Sequence, residues 1–171
     1  LSPSIRGRVA ETVHALRAQQ QPADGAPDAT RIRLHLLPNA IALARAHWLV
    51  GTGWGGYPAA YREVARAETG PVPAPADAPW LHTDNPHNEY LMQLGAGGLP
   101  ALLLFVAWLA LPLARVRARQ HRGDPWAGVL ACLALAFALG CLFNSLLLDF
   151  TEGHLYAGTL AWLLARRERT A

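Results

Sequence analysis

The sequence has few charged residues, only two cysteines, one methionine and no lysine. Charged residues make up 16% of its 171 residues, whereas soluble domains carry about 25%, and this shortage argues against a simple soluble globule. The hydrophobic fraction of 52% excludes a disordered chain, which has too little apolar surface to bury. Two cysteines are too few for a small disulfide-dependent fold. The net charge of +3 is too small and too scattered to indicate nucleic-acid binding.

The charges that are present lie unevenly along the chain. Residues 1–98 contain eight Arg and eight acidic residues, whereas residues 99–165 contain four Arg and three acidic residues, with Leu and Ala forming most of the rest. This contrast predicts an extramembrane region followed by membrane-spanning helices. The chain does not begin with Met, and residues 1–21 lack the apolar core of a signal peptide. We therefore expect it to be the C-terminal part of a longer protein.

Three apolar segments predict the spans. The first covers about residues 91–114 and is long enough as a helix to cross the bilayer core, which is roughly 30 Å thick. The second, residues 126–148, contains 23 residues without a charge and is long enough alone. The third, residues 152–166, is short, so it crosses only with little tilt or with one end in a protein-lined cavity. The alternative is a soluble bundle of very apolar helices, which the length of the second segment argues against.

Arginine-rich connections set the predicted orientation. Seven Arg and two acidic residues flank the inner ends of the segments, whereas the connection 144–154 carries two acidic residues and no Arg. Positively charged loops stay on the cytoplasmic side, so residues 1–90 and the 144–154 connection are predicted to share the outer face. The expected fold is all-α: a polytopic helical membrane protein fragment, with a helical extramembrane region followed by about three transmembrane helices in residues 91–171.

Residues 1–90 are predicted to contain amphipathic helices. One begins at Ser2, the second covers Arg31–Val50, and the third covers Pro58–Glu68 with Tyr57 and Tyr61 on one side. A glycine-rich turn separates the last two. It matches the G-x-G-x-x-G string of dinucleotide-binding proteins, but that motif requires a preceding strand, and a helix is predicted here. A tight turn or a cavity-shaping loop is the expected role.

The loop before the first span carries four residues with functional chemistry: His82, Asp84, His87 and Glu89. Three interpretations remain open, namely a plain surface loop, a metal-binding loop, and a functional loop at the mouth of a membrane cavity. The spacing does not match that of a regular zinc site. A histidine suits acid or base chemistry near neutral pH, and arginines close to this loop would suit a phosphate or diphosphate.

Four strings in this order resemble the C-terminal part of the bacterial O-antigen ligase and polymerase superfamily, which includes protein O-oligosaccharyltransferases. They are Arg33-Leu-His-Leu-Leu-Pro-Asn-Ala-Ile41, Gly51-Thr-Gly-Trp-Gly-Gly-Tyr57, Asn85-Pro-His-Asn-Glu-Tyr-Leu91 and Asn144-Ser-Leu-Leu-Leu-Asp-Phe-Thr-Glu-Gly-His154. The His-Asn-x-x-Leu element before the first span is the most diagnostic. The resemblance implies that residues 1–90 form the periplasmic loop region of a multi-pass inner-membrane protein with a cytoplasmic C-terminus.

The resemblance also implies an activity. Members of this superfamily transfer a glycan from an undecaprenyl-diphosphate carrier to an acceptor hydroxyl without a metal or another cofactor. His87 would be the general base, Arg33 and, less directly supported, Arg8 would bind the carrier diphosphate, and Asn88 and Asp149 would support the site. O-antigen ligation to lipid A-core is the expected reaction, and the implied partners are the lipid-linked donor, the acceptor and membrane lipids. The alternatives are an O-antigen polymerase, a protein O-oligosaccharyltransferase, or a non-catalytic membrane scaffold.

Overall fold

The computed structural model of the protein describes residues 29–68 and 83–165. These residues form helices and no strand, which confirms the all-helical expectation for them. The helices are α1 (Ala29–Ala46), α2 (Tyr57–Glu68), α3 (Glu89–His121), α4 (Ala127–Gly140) and α5 (Phe150–Ala165). The helix predicted from Ser2 lies outside the described residues.

Several helix boundaries differ from the predicted ones. The first helix of this part includes Pro38 and ends at Ala46 instead of Val50, because the chain turns before Gly51, whose φ is 74°. The 23 uncharged residues of segment 126–148 are not one helix, since α4 has 14 residues and is about 21 Å long. Its end is set by tertiary hydrogen bonding, described below for the loop 141–149.

α3 runs past the predicted span end at residue 114 and continues to His121. Arg119 explains the extension, because its side chain is buried although it carries a charge. Its Nε lies 3.2 Å from Asp124 Oδ2, and its Nη1 donates to the Leu163 carbonyl at 2.8 Å. A paired, hydrogen-bonded charge can be buried at low cost, so Arg119 joins the end of α3 to α5 and does not stop the helix.

Two hydrophobic clusters lie along α3, one before and one after its kink. The first cluster joins α1, α2 and the start of α3, and its buried members are Leu36, Leu43, Tyr57, Tyr61, Ala65, Met92 and Ala96. The second joins the rest of α3 to α4 and α5, and its buried members are Phe105, Leu109, Leu130, Phe137, Cys141, Tyr156, Leu160 and Leu163. In the second cluster Phe137 stacks on Tyr156 with ring centroids 3.9 Å apart. α3 is therefore the helix that connects both parts of the core.

The kink of α3 lies at Gly98, which has φ 68° and ψ −167°, a conformation open essentially only to glycine. In a regular helix the carbonyls of Gly95 and Ala96 would accept from the N–H groups of residues 99 and 100. Pro100 has no N–H, and Leu99 N donates instead to the Trp48 carbonyl at 2.7 Å. Two carbonyls on α3 are thereby released from the helix.

The glycine-rich turn after α1 uses these two carbonyls. Thr52 N donates to the Gly95 carbonyl at 2.9 Å, and Gly53 N donates to the Ala96 carbonyl at 2.8 Å. Every buried backbone group needs such a partner. The carbonyls released at the kink accept hydrogen bonds from the N–H groups of the turn, so both sets of groups are paired. The glycine-rich residues 51–56 thus form a tight turn that docks on α3.

α3 is also the one helix among the described residues that is long and apolar enough to cross a membrane, by length and composition. Only 28% of its most apolar 18-residue window is buried within the chain. α4 and α5, with 14 and 16 residues, are shorter. Large apolar side chains on all three helices are exposed, among them Leu104 at 74% and Leu155 at 69%.

Two buried tyrosines in the first cluster are hydrogen-bonded differently. Asn39 Nδ2 donates to Tyr61 Oη at 3.2 Å, whereas the buried Tyr57 hydroxyl has no hydrogen-bond partner among the described residues. Burial raises the pKa of both phenols. Because each phenol has a higher pKa in the folded protein than in the unfolded chain, the two tyrosines contribute their full stability below the ordinary tyrosine pKa. That contribution is lost as the pH rises above about 10.

This difference predicts opposite effects of removing each hydroxyl. Tyr57→Phe should leave the free energy of unfolding unchanged or raise it by up to about 1 kcal/mol, since it removes an unpaired buried polar group. Tyr61→Phe should lower it by about 1–3 kcal/mol, because the Asn39 amide then loses its acceptor. Chemical unfolding of the two variants in detergent measures both values, and equal destabilisation would contradict the assignment.

Candidate functional site

The loop before α3 holds His87 in an unusual backbone conformation. His87 has φ 52° and is the one non-glycine residue with positive φ in the described part of the chain. Asn85 Oδ1 accepts from the His87 backbone N at 2.8 Å, and Thr83 Oγ1 in turn accepts from Asn85 N at 3.0 Å. Side chains of this kind stabilise tight turns. Strained residues held by their surroundings occur preferentially at functional sites, which makes His87 a candidate.

The imidazole of His87 is joined to two side chains from the loop 141–149. His87 Nδ1 lies 3.0 Å from Asn144 Oδ1, and Asn144 Nδ2 donates to Asp149 Oδ2 at 2.6 Å. All three side chains are partly buried. They form a continuous hydrogen-bonded chain, which we call the His–Asn–Asp chain.

The carboxylate at the end of this chain determines which nitrogen of His87 carries the proton. An ionised carboxylate only accepts hydrogen bonds, so Asp149 requires the amide nitrogen of Asn144. The amide oxygen of Asn144 then faces His87, and Nδ1 must be the donor. In a neutral imidazole the other nitrogen, Nε2, is left with a free lone pair. His87 is therefore held in the tautomer that a general base needs.

Two further hydrogen bonds, one from Asn88 and one from Glu89, attach the start of α3 to the loop 141–149. Asn88 caps the helix through Oδ1, which accepts from Leu91 N at 3.0 Å, and its Nδ2 donates to the Leu142 carbonyl at 3.0 Å. Glu89 N donates to the Cys141 carbonyl at 2.8 Å. These bonds go to the carbonyls of the two residues after α4, which in a continued helix would accept from residues 145 and 146, so they compete with continuation of the helix.

Glu89 is fully buried and links the same two segments through its carboxylate. Oε2 accepts from Leu147 N at 2.9 Å, and Oε1 accepts from Gln93 Nε2 at 2.7 Å. A buried carboxylate is stable only when its oxygens are hydrogen-bonded, as they are here. Glu89 therefore positions the loop that carries Asn144 and Asp149.

A cleft of about 520 Å³ lies next to the chain of hydrogen bonds. Its lining residues are Trp54, Gly55, Pro58, Asp84, Asn85, Met92, Leu148 and Asp149. Two of these residues connect the cleft to His87. Asp149 is one end of the His–Asn–Asp chain, and Asn85 accepts from the His87 backbone N–H. A second cleft, of about 330 Å³, lies between α1 and α3 and is lined by Ile41, Ala44, Arg45, Trp48, Leu91 and Leu94.

The structure brings together some of the predicted site residues. His87, Asn88 and Asp149 all lie where the start of α3 meets the loop 141–149. Arg33 lies in α1, in the part of that helix whose side chains are not described, and Arg8 lies outside the described residues. The predicted diphosphate contacts of these two arginines remain predictions.

Two residues of the site were not assigned a role from the sequence. Asn144 was part of a noted string, but nothing local indicates that its side chain meets one 57 positions earlier. Glu89 was considered only among metal-ligand candidates, and its place in the first turn of α3 was the available signal for a structural role.

The metal-binding interpretation finds no support in residues 29–68 and 83–165, where no group of three His, Cys, Asp or Glu side chains could hold a metal ion. Glu89 in particular uses both carboxylate oxygens internally. His82, the remaining member of that candidate set, lies outside the described residues.

Comparison of the chain with known protein families, curated proteins and solved structures finds no match. The functional argument therefore depends on the residues and on their geometry.

Proposed function

We propose that this chain belongs to a bacterial inner-membrane enzyme that transfers a glycan from an undecaprenyl-diphosphate carrier to an acceptor hydroxyl, with lipid A-core as the acceptor. The single observation that best supports a base-catalysed transfer is the His–Asn–Asp chain, which makes Nδ1 the hydrogen-bond donor and so places the lone pair of a neutral His87 on Nε2. The resemblance of four sequence strings to the O-antigen ligase and polymerase superfamily supports the choice of substrates.

In the proposed reaction, His87 Nε2 takes the proton of the acceptor hydroxyl as its oxygen bonds to the anomeric carbon of the donor sugar. The bond from that carbon to the diphosphate oxygen breaks, and its electron pair leaves with the lipid diphosphate. Asp149, acting through Asn144, stabilises the imidazolium that forms, as an acid behind a base does in other enzymes. Arg33 and Arg8 are the proposed cations that stabilise the departing diphosphate, because leaving-group charge needs positive partners.

The exposed apolar surface supports a membrane location for residues 91–171. Monomeric soluble proteins rarely expose a large contiguous apolar surface, and α3 to α5 expose many leucines. The irregular loop 141–149 between α4 and α5 lines the 520 Å³ cleft through Leu148 and Asp149, and non-helical backbone near membrane depth is tolerated where it lines a cavity. In the proposed arrangement, this loop and residues 1–90 face the periplasm and the C-terminus faces the cytoplasm.

A deletion strain complemented with the full-length gene tests the proposal. Lipopolysaccharide is separated on a gel, and glycoproteins are stained in parallel. Loss of the long-chain ladder in the deletion and its return with the gene would support ligation. Caps of a single repeat unit in the deletion would indicate the polymerase, and altered glycoprotein staining would indicate the protein transferase. No effect on either readout would favour the non-catalytic scaffold and overturn the proposal.

The role of Asn144 gives a second prediction. Asn144→Leu removes the acceptor for His87 Nδ1–H and should lower kcat about 10- to 100-fold, because the imidazole is then free to adopt the tautomer that has no lone pair on Nε2, with little change in KM. Asn144→Asp keeps an acceptor and should recover part of the rate. Its acid limb in the pH–rate profile should move to higher pH, because the new carboxyl group forms a pair with Asp149 that shares one proton and places negative charge directly against His87 Nδ1–H. Equal rates and equal pH profiles for wild type and both variants would contradict the role.

A further inference from the structure

We propose that the 520 Å³ cleft is a saccharide subsite in which a sugar ring stacks on Trp54 and its hydroxyls bond to Asp84, Asn85 and Asp149. This inference rests on the proposed function and adds to it the place where a sugar of the donor or acceptor lies. The cleft volume is within the range of about 300–1,000 Å³ that is typical of ligand sites.

The lining residues have the chemistry that a neutral sugar requires. A sugar ring has one face of C–H groups and an edge of hydroxyls, so it needs an apolar surface and several hydrogen-bond acceptors. Trp54 is 52% exposed and offers that surface, with Met92 and Leu148 beside it. The carboxylates of Asp84 and Asp149 and the amide of Asn85 supply acceptors and one donor group.

The negative charge of the cleft argues against binding of the donor's diphosphate there. Asp84 and Asp149 are acidic, and neither Lys nor Arg is among those residues that line this cleft in the described part of the chain. Two carboxylates repel a diphosphate, which instead needs arginines. The diphosphate is therefore bound elsewhere, and this cleft is left for an uncharged sugar.

The stacking surface is held in a fixed position. Trp54 follows Gly53, whose N–H donates to the Ala96 carbonyl on α3, and the Gly53 carbonyl accepts from both Gly56 N and Tyr57 N at 3.1 Å. A methyl group added at Gly97 would lie 3.9 Å from Trp54 Cζ2, so the indole lies close to α3. A rigid platform binds better than a mobile one, since less conformational entropy is lost.

The cleft also lies beside the two loops that hold the candidate catalytic group. Asp149 lines the cleft and accepts a hydrogen bond from the Asn144 amide nitrogen. The Asn144 amide oxygen in turn accepts from His87 Nδ1–H. Asn85 lines the cleft and binds the His87 backbone. A sugar bound here would be adjacent to the loop that carries the base.

The test measures binding to the purified full-length protein by isothermal titration calorimetry. Two probes distinguish the source of the sugar: lipid-free core oligosaccharide represents the acceptor, and the glycan released from its lipid carrier by mild acid represents the donor. Wild type should bind one of the two. Trp54→Ala should weaken that binding about tenfold, the value of an aromatic contact of about 1.4 kcal/mol, and Trp54→Phe should restore most of it.

Trp48→Ala is the matched control. Trp48 is also 52% exposed and lies near the same turn, but it lines the second cleft, so its removal should leave glycan binding unchanged. Inorganic pyrophosphate is the anion control, and Trp54→Ala should not alter its binding. The subsite is overturned if wild type binds neither glycan, or if Trp54→Ala binds as wild type does.

A transfer assay separates this inference from the proposed function. If wild type binds a glycan through Trp54 but transfers none, the subsite stands and the transfer reaction is wrong. If wild type transfers glycan and Trp54→Ala has the same KM for donor and acceptor, the subsite is wrong and the transfer reaction stands.

Discussion

Replacing His87 with alanine is expected to reduce the proposed glycan transfer by about 10²- to 10⁴-fold, the usual contribution of a positioned general base. The acceptor hydroxyl would then have to lose its proton without the Nε2 lone pair that the His–Asn–Asp chain leaves free. Binding of donor and acceptor should change little, because a base acts on the rate of the chemical step. The measurement is transfer in membranes with the expression level of each variant matched by immunoblot.

The left-handed backbone of His87 complicates the alanine variant, so a second variant is needed. Asparagine tolerates a φ of 52° better than alanine does, and it has no basic nitrogen. His87→Asn should therefore fold normally and be as inactive as His87→Ala. His47→Ala is the control, since His47 is exposed in the turn after α1, and it should transfer at the wild-type rate. Wild-type transfer by a folded His87→Asn variant would refute the role of the base.

Replacing Gly98 with alanine is expected to destabilise the protein by about 3 kcal/mol or more. Two effects combine, because the backbone at φ 68°, ψ −167° is strained for any residue with a Cβ atom, and that atom would lie 2.6 Å from the Val50 carbonyl carbon. Relief of either effect would break the Leu99–Trp48 hydrogen bond and separate the glycine-rich turn from α3. The free energy of unfolding in detergent, followed by tryptophan fluorescence, measures this cost.

Gly128→Ala is the matched control for this experiment. Gly128 lies in α4, and a Cβ atom there would meet no described atom within 4 Å beyond its own stretch of helix. Alanine is the better helix former, so this substitution should stabilise the protein by about 0.5–1 kcal/mol. If Gly98→Ala were as well tolerated as Gly128→Ala, the kink would not be needed for docking the turn.

The helical segments were largely predictable from the sequence, because helix formation depends on local spacing. Tyr57 and Tyr61 were placed on one face of a helix over Pro58–Glu68, and both are fully buried against α1 and α3. The apolar run after Tyr90 predicted α3, although the kink at Gly98 and the extension past residue 114 were not foreseen. The predicted second span was too long as a helix, since composition does not reveal where tertiary hydrogen bonds end α4.

The candidate site was predictable only in part. His87 and Asn88 were identified through a short element of the chain, and Asp149 through a second element far along the sequence. The link from His87 to Asp149 through Asn144 could not be predicted. The chain contains several amide side chains, and only the packing of the helices decides which of them contacts the imidazole. The buried position of Glu89 was likewise hidden, since a glutamate in the first turn of a helix is usually exposed.

The sequence alone therefore determined the helical class, the apolar character of residues 91–165 and the residue types available for acid–base chemistry. These properties follow from composition and from periodicity along the chain. Tertiary structure alone decided that the turn 51–56 docks on the carbonyls freed at Gly98, and that Asn144 fixes the tautomer of His87. Both depend on hydrogen bonds between residues more than 40 positions apart, whose pairing is set by how the helices pack and not by any local pattern.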